Sequence, residues 1–362
     1  MAQQMELVDV FCGGGLFSYA ARAVGMRVIY AVDNDSNALL TYKANFPATR
    51  VKCASVGPGA EDEWETEVNI PEPAPNRHIH LSPPCTQISS ANTTCRDKEY
   101  GISALKWAIE IGMKYQSWSV ETVVSKSSHD VVKPLQEQHK ATGLLDFVEL
   151  DAQMVGDPQT RKRIIIGPCE LIAAIKTAPP CRIVSVKEAF DRAKVQIPPG
   201  STHTKNASKS NGGGSNIRPI GHPSFTVCAA RANSFCKADG STVQSMKSHH
   251  SRVLMGFDDN FILRGKAADT QQILGNGICY NVGRVIALAA MKKPITFHAQ
   301  MQLETADASS SDGGSSDDGA AGNATTPSTL SESIAEMERT AKRLRGEAEN
   351  IECQVKAMRK FL

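Results

Sequence analysis

The chain has 362 residues, 41% of them hydrophobic and 22% charged, with a formal net charge of +2 and ten cysteines. That composition describes a soluble protein with a sizeable core, and the length suits one large domain plus a smaller one, or two domains and an appendage. No run approaches about 18 consecutive apolar residues, which excludes a membrane-spanning helix. The start, residues 1–6, lacks a basic and apolar leader, so no secretion signal is expected. The cysteines form neither a CxxC pair nor a zinc-spaced Cys/His cluster, which points to a reducing compartment, free thiols and no structural metal.

In chain order, residues 6–11 (Glu-Leu-Val-Asp-Val-Phe) predict a buried strand. It runs into Cys12-Gly13-Gly14-Gly15 and then a helical pattern over residues 16–25. Strand, glycine turn and helix make the first half of a nucleotide-binding unit, in which glycines let a ligand approach the backbone. A second strand, residues 27–32, ends in Asp33-Asn34-Asp35, where an acid is placed to accept hydrogen bonds from ribose hydroxyls. The G-x-G-x-x-G spacing is not met, which disfavours a dinucleotide and leaves room for a mononucleoside cofactor.

Residues 36–46 read as a helix, and the proline-containing stretch 57–76 as an exposed excursion; residues 61–72 carry six acids and no base. A strand over residues 78–81 delivers Ser82-Pro83-Pro84-Cys85. Prolines fix φ and remove donors, so a stiff loop should hold Cys85 at the carboxyl edge of a parallel sheet. Cys85 is then a nucleophile or, on the blander alternative, a buried structural cysteine. Residues 103–115 have helical spacing at Leu105, Ile109 and Met113, and residues 117–124 predict a strand with Glu121 inside it. A carboxylate there is costly unless paired or functional, and a structural salt bridge is the alternative.

Residues 144–150 and 163–167 look like the last strands of this sheet. Gln159, Arg161 and Arg163 between them alternate as residues on one face of an extended segment do, which predicts three donors aimed into one crevice. After Gly167 the texture turns loop-rich and basic. Residues 182–252 hold eleven Lys/Arg against three Asp/Glu, a candidate phosphate-contacting surface or a solvated loop region. Regular structure returns at residues 252–261 and 275–290, the latter a turn followed by an apolar helix.

Taken in order, these motifs resemble the cytosine-5 DNA methyltransferase family over roughly residues 6–290. The glycine turn after Asp9 resembles its cofactor motif, Pro84-Cys85 its nucleophile motif, and Glu121-Thr122-Val123 its Glu-Asn-Val motif. Gln159-Thr160-Arg161-Lys162-Arg163 resembles Gln-x-Arg-x-Arg, residues 252–261 the segment before the last motif, and Gly275-Asn276 that motif's opening. The resemblance implies S-adenosylmethionine over Phe11, Gly13, Gly14 and Gly15, with Asp33, Asn34, Pro84 and Asn276 around it. It implies a flipped cytosine, attacked at C6 by the Cys85 thiolate. Glu121 would meet the N3/N4 edge and Arg163 would hold O2, with Arg161 in support. Nearby arginines are expected to lower the thiol's pKa. Ser89, Gln159, Lys205 and Lys209 are candidates for contact with double-stranded DNA. Three positions depart from the pattern: Thr122 replaces the central amide, Thr86 stands where Gln usually follows the cysteine, and residues 52–56 offer no acid to face the adenine.

The fold class expected is α/β, a Rossmann-like methyltransferase sheet with a small target-recognition domain and a C-terminal coiled-coil helix. The catalytic domain should span 1–167, completed by 271–295, with the small domain at 168–270. Residues 302–328 have a linker's composition. From residue 329 a capping box precedes a heptad seam through Leu330, Ile334, Met337, Ala341, Leu344, Ala348, Ile351, Val355, Met358 and Leu362. That seam predicts self-association or a partner helix, with docking on the catalytic domain as the alternative. The chain begins almost at its first strand, so no amino-terminal reader domain is expected. The related transfer-RNA cytosine methyltransferase is a rival whose Cys-Phe-Thr tripeptide is absent; a catalytically inactive DNA-binding homologue recruiting partners through the coiled coil is another. The setting expected is intracellular, nucleoid-associated or nuclear depending on the host.

Overall fold

The computed structural model describes residues 3–59, 68–89, 97–179, 181–206 and 216–295. The expected linker and coiled coil lie outside the described residues, as do Lys209 and the acidic stretch 60–67.

The large sheet has seven strands in the order β3-β2-β1-β4-β5-β7-β6. These are β1 (Glu6–Val10), β2 (Arg27–Asp33), β3 (Arg50–Cys53), β4 (Arg77–Leu81), β5 (Ser117–Val123), β6 (Asp146–Asp151) and β7 (Lys162–Gly167). All neighbours pair in parallel except β7, which runs antiparallel to both β5 and β6. Strands covered on both faces need apolar side chains at every position, not alternately, and β1 is buried throughout. Strand order reverses between β1 and β4. The crevice beyond their carboxyl ends is where an open α/β sheet binds ligands.

Helix α1 (Leu16–Ala23) follows β1 through the glycine turn, and α2 (Ser36–Asn45) follows β2 with Asp35 capping Asn37 N at 3.0 Å and Ala38 N at 3.1 Å. Next come α3 (Lys98–Gly112), α4 (Lys126–His139) and α5 (Cys169–Lys176). A second, antiparallel sheet has the order β11-β10-β8-β9, built from β8 (His203–Lys205), β9 (Ile217–Pro219), β10 (Ser234–Cys236) and β11 (Thr242–Ser245). Around it lie α6 (Val186–Arg192) and α7 (Ser248–Leu254), after which α8 (Ala267–Asn276) and α9 (Tyr280–Ala290) return to the large sheet. The apolar run of α9 is buried almost end to end and packs against α1 and α5. Among the described residues no single helix is long and apolar enough to cross a membrane.

Several expectations need correcting. Helix α4 carries Pro134 and buries only Ser128, Val131 and Val132, too narrow a stripe for periodicity to reveal. The stretch after Gly167 is not all loop: α5 buries Leu171, Ile172 and Ile175 against the large sheet's own layer. The excursion at 57–76 is not wholly exposed, since Val68 is buried and its carbonyl accepts from the Tyr30 hydroxyl. Gly275 and Asn276 close helix α8 instead of opening a turn. A Cβ on Gly275 would sit 2.1 Å from the Ala229 amide, so backbone approach, not turn formation, demands glycine there.

Asp157 is fully buried beside the first turn of α9, accepting from Asn281 N at 3.2 Å and Val282 N at 3.3 Å. Burial pushes its carboxyl up to about 8. Because the folded form holds a proton that the unfolded chain releases near 3.8, stability should be greatest at the acid end and fall as pH rises toward 8. Asp157→Asn should flatten that fall, measured as urea midpoints between pH 5 and pH 8. Asp9, pushed up to about 7, has the same sign and should leave a residual slope. Equal slopes for the two proteins would show that Asp157 ionises normally in the fold.

Candidate active site

A cavity of about 260 Å³ opens at the switch point between β1 and β4. The turn after β1 forms one side. Phe11 sits in the left-handed region at φ 58 and Gly15 at φ 86, where a Cβ would also lie 2.9 Å from the Tyr42 ring. A non-glycine residue held in that region costs on the order of 1 kcal/mol and persists where surrounding structure enforces it; the Phe11 ring meets Trp107 edge-on at 5.8 Å. Gly13 donates its amide to Asp33 Oδ2 at 2.7 Å, and Asp35 N donates to Asp33 Oδ1 at 2.8 Å. Burial raises Asp33 above the usual carboxylate range, and these two donors work against it.

Of the expected cofactor residues, Phe11, Gly13, Gly14, Asp33, Asn34, Pro84 and Asn276 line this cavity. Gly15 does not; it faces Tyr42 and Phe46. Cys85 and Glu121 line the same cavity, joined by residues not anticipated from the sequence: Asp9, Ser82, Tyr100, Gln272 and Ile273. Asp9 had a legible signal, an acid inside an apolar strand; its carboxylate takes the Ser18 hydroxyl at 2.6 Å. Tyr100 and Gln272 had none, because each comes from a helix turn whose place beside the crevice only the chain path defines. Ala54 lines the wall that follows β3, where the acid facing adenine was missing from the sequence.

Cys85 is half-buried in the turn after the two prolines, its carbonyl taking Ile88 N at 3.2 Å. Glu121 is buried on β5, and Arg163 Nε lies 2.7 Å from its Oε1, near enough to pair charges though off hydrogen-bond alignment. The register explains the pair. Glu121 stands opposite Ile165 and Val123 opposite Arg163, so Glu121 and Arg163 are diagonal neighbours on one face of an antiparallel ladder.

The other two donors of the Gln-x-Arg-x-Arg segment do not enter the crevice. Strand β7 begins only at Lys162; before it the chain bends, with Arg161 N on Asp151 Oδ1 at 2.9 Å and Thr160 N on Ser224 O at 2.9 Å. The period-two rule therefore fails upstream of residue 162. Arg161 is buried and its guanidinium donates to Val227 O at 2.9 Å and to Gly275 O and Gly277 O, each at 2.8 Å. Gln159 is fully buried, giving Nε2–H to Leu254 O at 2.7 Å and accepting Val227 N at 3.0 Å, so it cannot touch DNA. Both tie the segments around Val227 and Gly275 to the large sheet. Ser89 is half-buried and does not line the cavity; Lys205, on β8, gives its ammonium to Gly240 O at 3.2 Å.

The arginines do not lower the Cys85 thiol as expected. Burial and the Glu121 carboxylate push it above its ordinary value, outweighing Arg163 and Arg161. Alkylation of Cys85 in the substrate-free protein should therefore keep accelerating through pH 9, followed by peptide mass spectrometry. A plateau below pH 8 would mean that the arginines prevail.

The cavity's charge is one-sided. Asp9, Asp33, Asp35 and Glu121 line it, and among the described residues no Lys, Arg or His does. Such a site repels phosphate and attracts a cation, the reverse of a dinucleotide cradle. Among the described residues no group of three His, Cys, Asp or Glu could hold a metal ion, and the eight described cysteines are free.

Residues 5–109, which contain the glycine turn, the Asp33 turn and the Pro-Pro-Cys loop, match the family of C-5 cytosine-specific DNA methylases. Over that stretch the chain is similar to that family. It is 28% identical to the Type II methyltransferase M.AgeI of Thalassovita gelatinovora over 170 residues, 45% of this chain and 39% of that relative. The chain thus spans about two fifths of M.AgeI. With the Type II methyltransferase M.HindV of Haemophilus influenzae it shares 24% identity over 317 residues, 80% of this chain and 99% of the relative. The fold is shared with a Spodoptera frugiperda DNMT2 structure, with a TM-score of 0.52 at 14% identity, covering 80% of this chain and 100% of that one.

Proposed function

We propose that this chain is a DNA (cytosine-5)-methyltransferase that takes its methyl group from S-adenosylmethionine. The observation that carries the reading is that Cys85 and Glu121 share one acid-lined cavity with the glycine turn, at the switch point of the sheet. The lining fits this cofactor. Its sulfonium and ammonium charges suit Asp9 and Asp33, its ribose the Asp33 and Asn34 corner, and Gly13 leaves open space where a Cβ would stand. When bound, S-adenosylmethionine supplies an electrophilic methyl group.

Cytosine stacked in a duplex cannot present its C5 and C6 to groups inside a cavity, so the base must leave the stack. The Cys85 thiol gives its proton to solvent and Sγ bonds to C6, which places negative charge on the ring and makes C5 nucleophilic. Glu121, oriented by Arg163, stands to meet the base's N3/N4 edge. Present as the acid when the base arrives, it would give its proton to N3 as negative charge develops and take it back when the Sγ–C6 bond breaks. After C5 is methylated it loses its proton to a water-derived base, the Sγ–C6 bond breaks, and Cys85 returns as thiolate. The raised thiol pKa suits a nucleophile shielded until substrate arrives.

The test is incubation with S-adenosylmethionine carrying a tritiated methyl group and either mixed-sequence duplex DNA or transfer RNA. Label should enter the duplex and appear as 5-methylcytosine on nucleoside mass spectrometry. Incorporation into transfer RNA alone would replace this reading with the RNA one, and incorporation into neither would leave a DNA-binding homologue without activity.

A further inference from the structure

A line of hydrogen bonds runs through the core directly behind the Pro-Pro-Cys loop. Ser117 Oγ lies 2.8 Å from His78 Nδ1, and His78 Nε2 lies 2.9 Å from Ser119 Oγ. Ser119 Oγ is 2.8 Å from His80 Nδ1, and His80 Nε2 is 3.0 Å from Ser82 Oγ. His78, Ser119 and His80 are fully buried, while Ser82 lines the cavity three residues before Cys85. The His80 ring also stacks on Phe17, another lining residue, at 3.5 Å between centroids and 14° between planes. One buried histidine thus backs two separate patches of the cavity wall.

Burial keeps both rings neutral, with His78 pushed down to about 3 and His80 held well below the usual imidazole range. A neutral imidazole gives one hydrogen bond and takes one. If Ser119 both gives and takes, the line runs in one of two directions. In one, His80 donates to Ser82 and the Ser82 hydroxyl proton is free to point into the cavity. In the other, Ser82 donates to His80 and offers the cavity only lone pairs. Pro83 and Pro84 have no amide proton, so side chains must supply much of the loop's anchorage. Thr122, further along β5, does not supply it, since its Oγ1 is buried with no hydrogen-bond partner among the described residues.

We infer that the Ser117–His78–Ser119–His80–Ser82 line positions the Cys85 loop and orients the Ser82 hydroxyl toward the bound base or cofactor. Ser82 is its outlet and His80 its positioning residue. This rests on the methyltransferase reading only for its effect on turnover; the anchoring of the loop does not depend on it.

Two readouts on the full chain test it, alkylation of Cys85 by iodoacetamide without substrate and steady-state methylation of duplex DNA. Ser82→Ala frees the loop at its exposed end, so Cys85 alkylation should rise about fivefold as the loop opens locally. Turnover should fall about tenfold, with KM for DNA changed by less than about twofold, as expected when a reacting group is misplaced. Ser82→Thr, which keeps the hydroxyl, should restore both, a rescue that mere loss of side-chain volume would not give. His80→Leu should match Ser82→Ala, and the double variant should be no worse than either alone. Should His80→Leu fail to fold, the Ser82→Ala and Ser82→Thr pair decides. Alkylation and turnover within about twofold of wild type for Ser82→Ala would overturn the inference. If the wild-type chain methylated nothing, the alkylation arm would still decide it, and only the functional reading would fall.

Discussion

Replacing Cys85 by serine is expected to remove methyl transfer almost completely, by at least about a thousandfold, while leaving the fold and duplex binding intact. A serine hydroxyl is far harder to ionise than a thiol and is a weaker nucleophile toward C6. Volume and polarity hardly change at a half-buried position whose backbone is held by Ile88 N, so thermal stability should barely move. Duplex DNA containing 5-fluorocytosine should trap wild-type protein as a covalent adduct on Cys85, because fluorine at C5 cannot leave as a proton does. The serine variant should form none. Turnover by that variant above a trace, or an adduct mapped to another residue, would remove Cys85 from the chemistry.

Arg161→Met should give the largest loss of stability, about 3–5 kcal/mol. The guanidinium holds three carbonyls from two distant segments, Val227 on one and Gly275 and Gly277 on the other. Methionine nearly fills the volume but leaves all three acceptors buried without these donors, and an unmet buried acceptor costs about 1–3 kcal/mol. Burial lowers Arg161 to about 10, so it stays charged at neutral pH and the carbonyl dipoles compensate it. Since Asn276, Gly277 and Ile278 line the cavity, cofactor affinity measured by calorimetry should weaken in parallel with the urea midpoint. A variant of full stability and full cofactor affinity that nonetheless lacks turnover would show instead that Arg161 acts on the base.

These two arginines illustrate what a sequence pattern conveys. Alternation from Gln159 to Arg163 is a statement about an extended segment, and it holds only from Lys162, where β7 begins. Arg163 therefore reaches Glu121, whereas Gln159 and Arg161 turn back to hold the segments around Val227 and Gly275. Basic charge between residues 182 and 252 was equally visible, yet of the two lysines singled out there Lys205 turns its ammonium to Gly240 O, and Lys209 lies outside the described residues.

The positions of six of the large sheet's strands along the chain, the glycine turn, the Asp33 corner and the Pro-Pro-Cys loop were all determined by the sequence itself. Each is local: a parallel strand buried on both faces needs an unbroken apolar run, a left-handed turn needs glycine, and prolines stiffen whatever follows them. Only the tertiary structure decided which side chains share the cavity and in what state. Tyr100, Gln272 and Ile273 reach it from helix positions 19 to 192 residues beyond Leu81, the end of β4, through chain path alone. The Cys85 thiol lies above its ordinary value because burial and Glu121 together outweigh two arginines, a balance set by depth and distance, which no spacing in the sequence encodes.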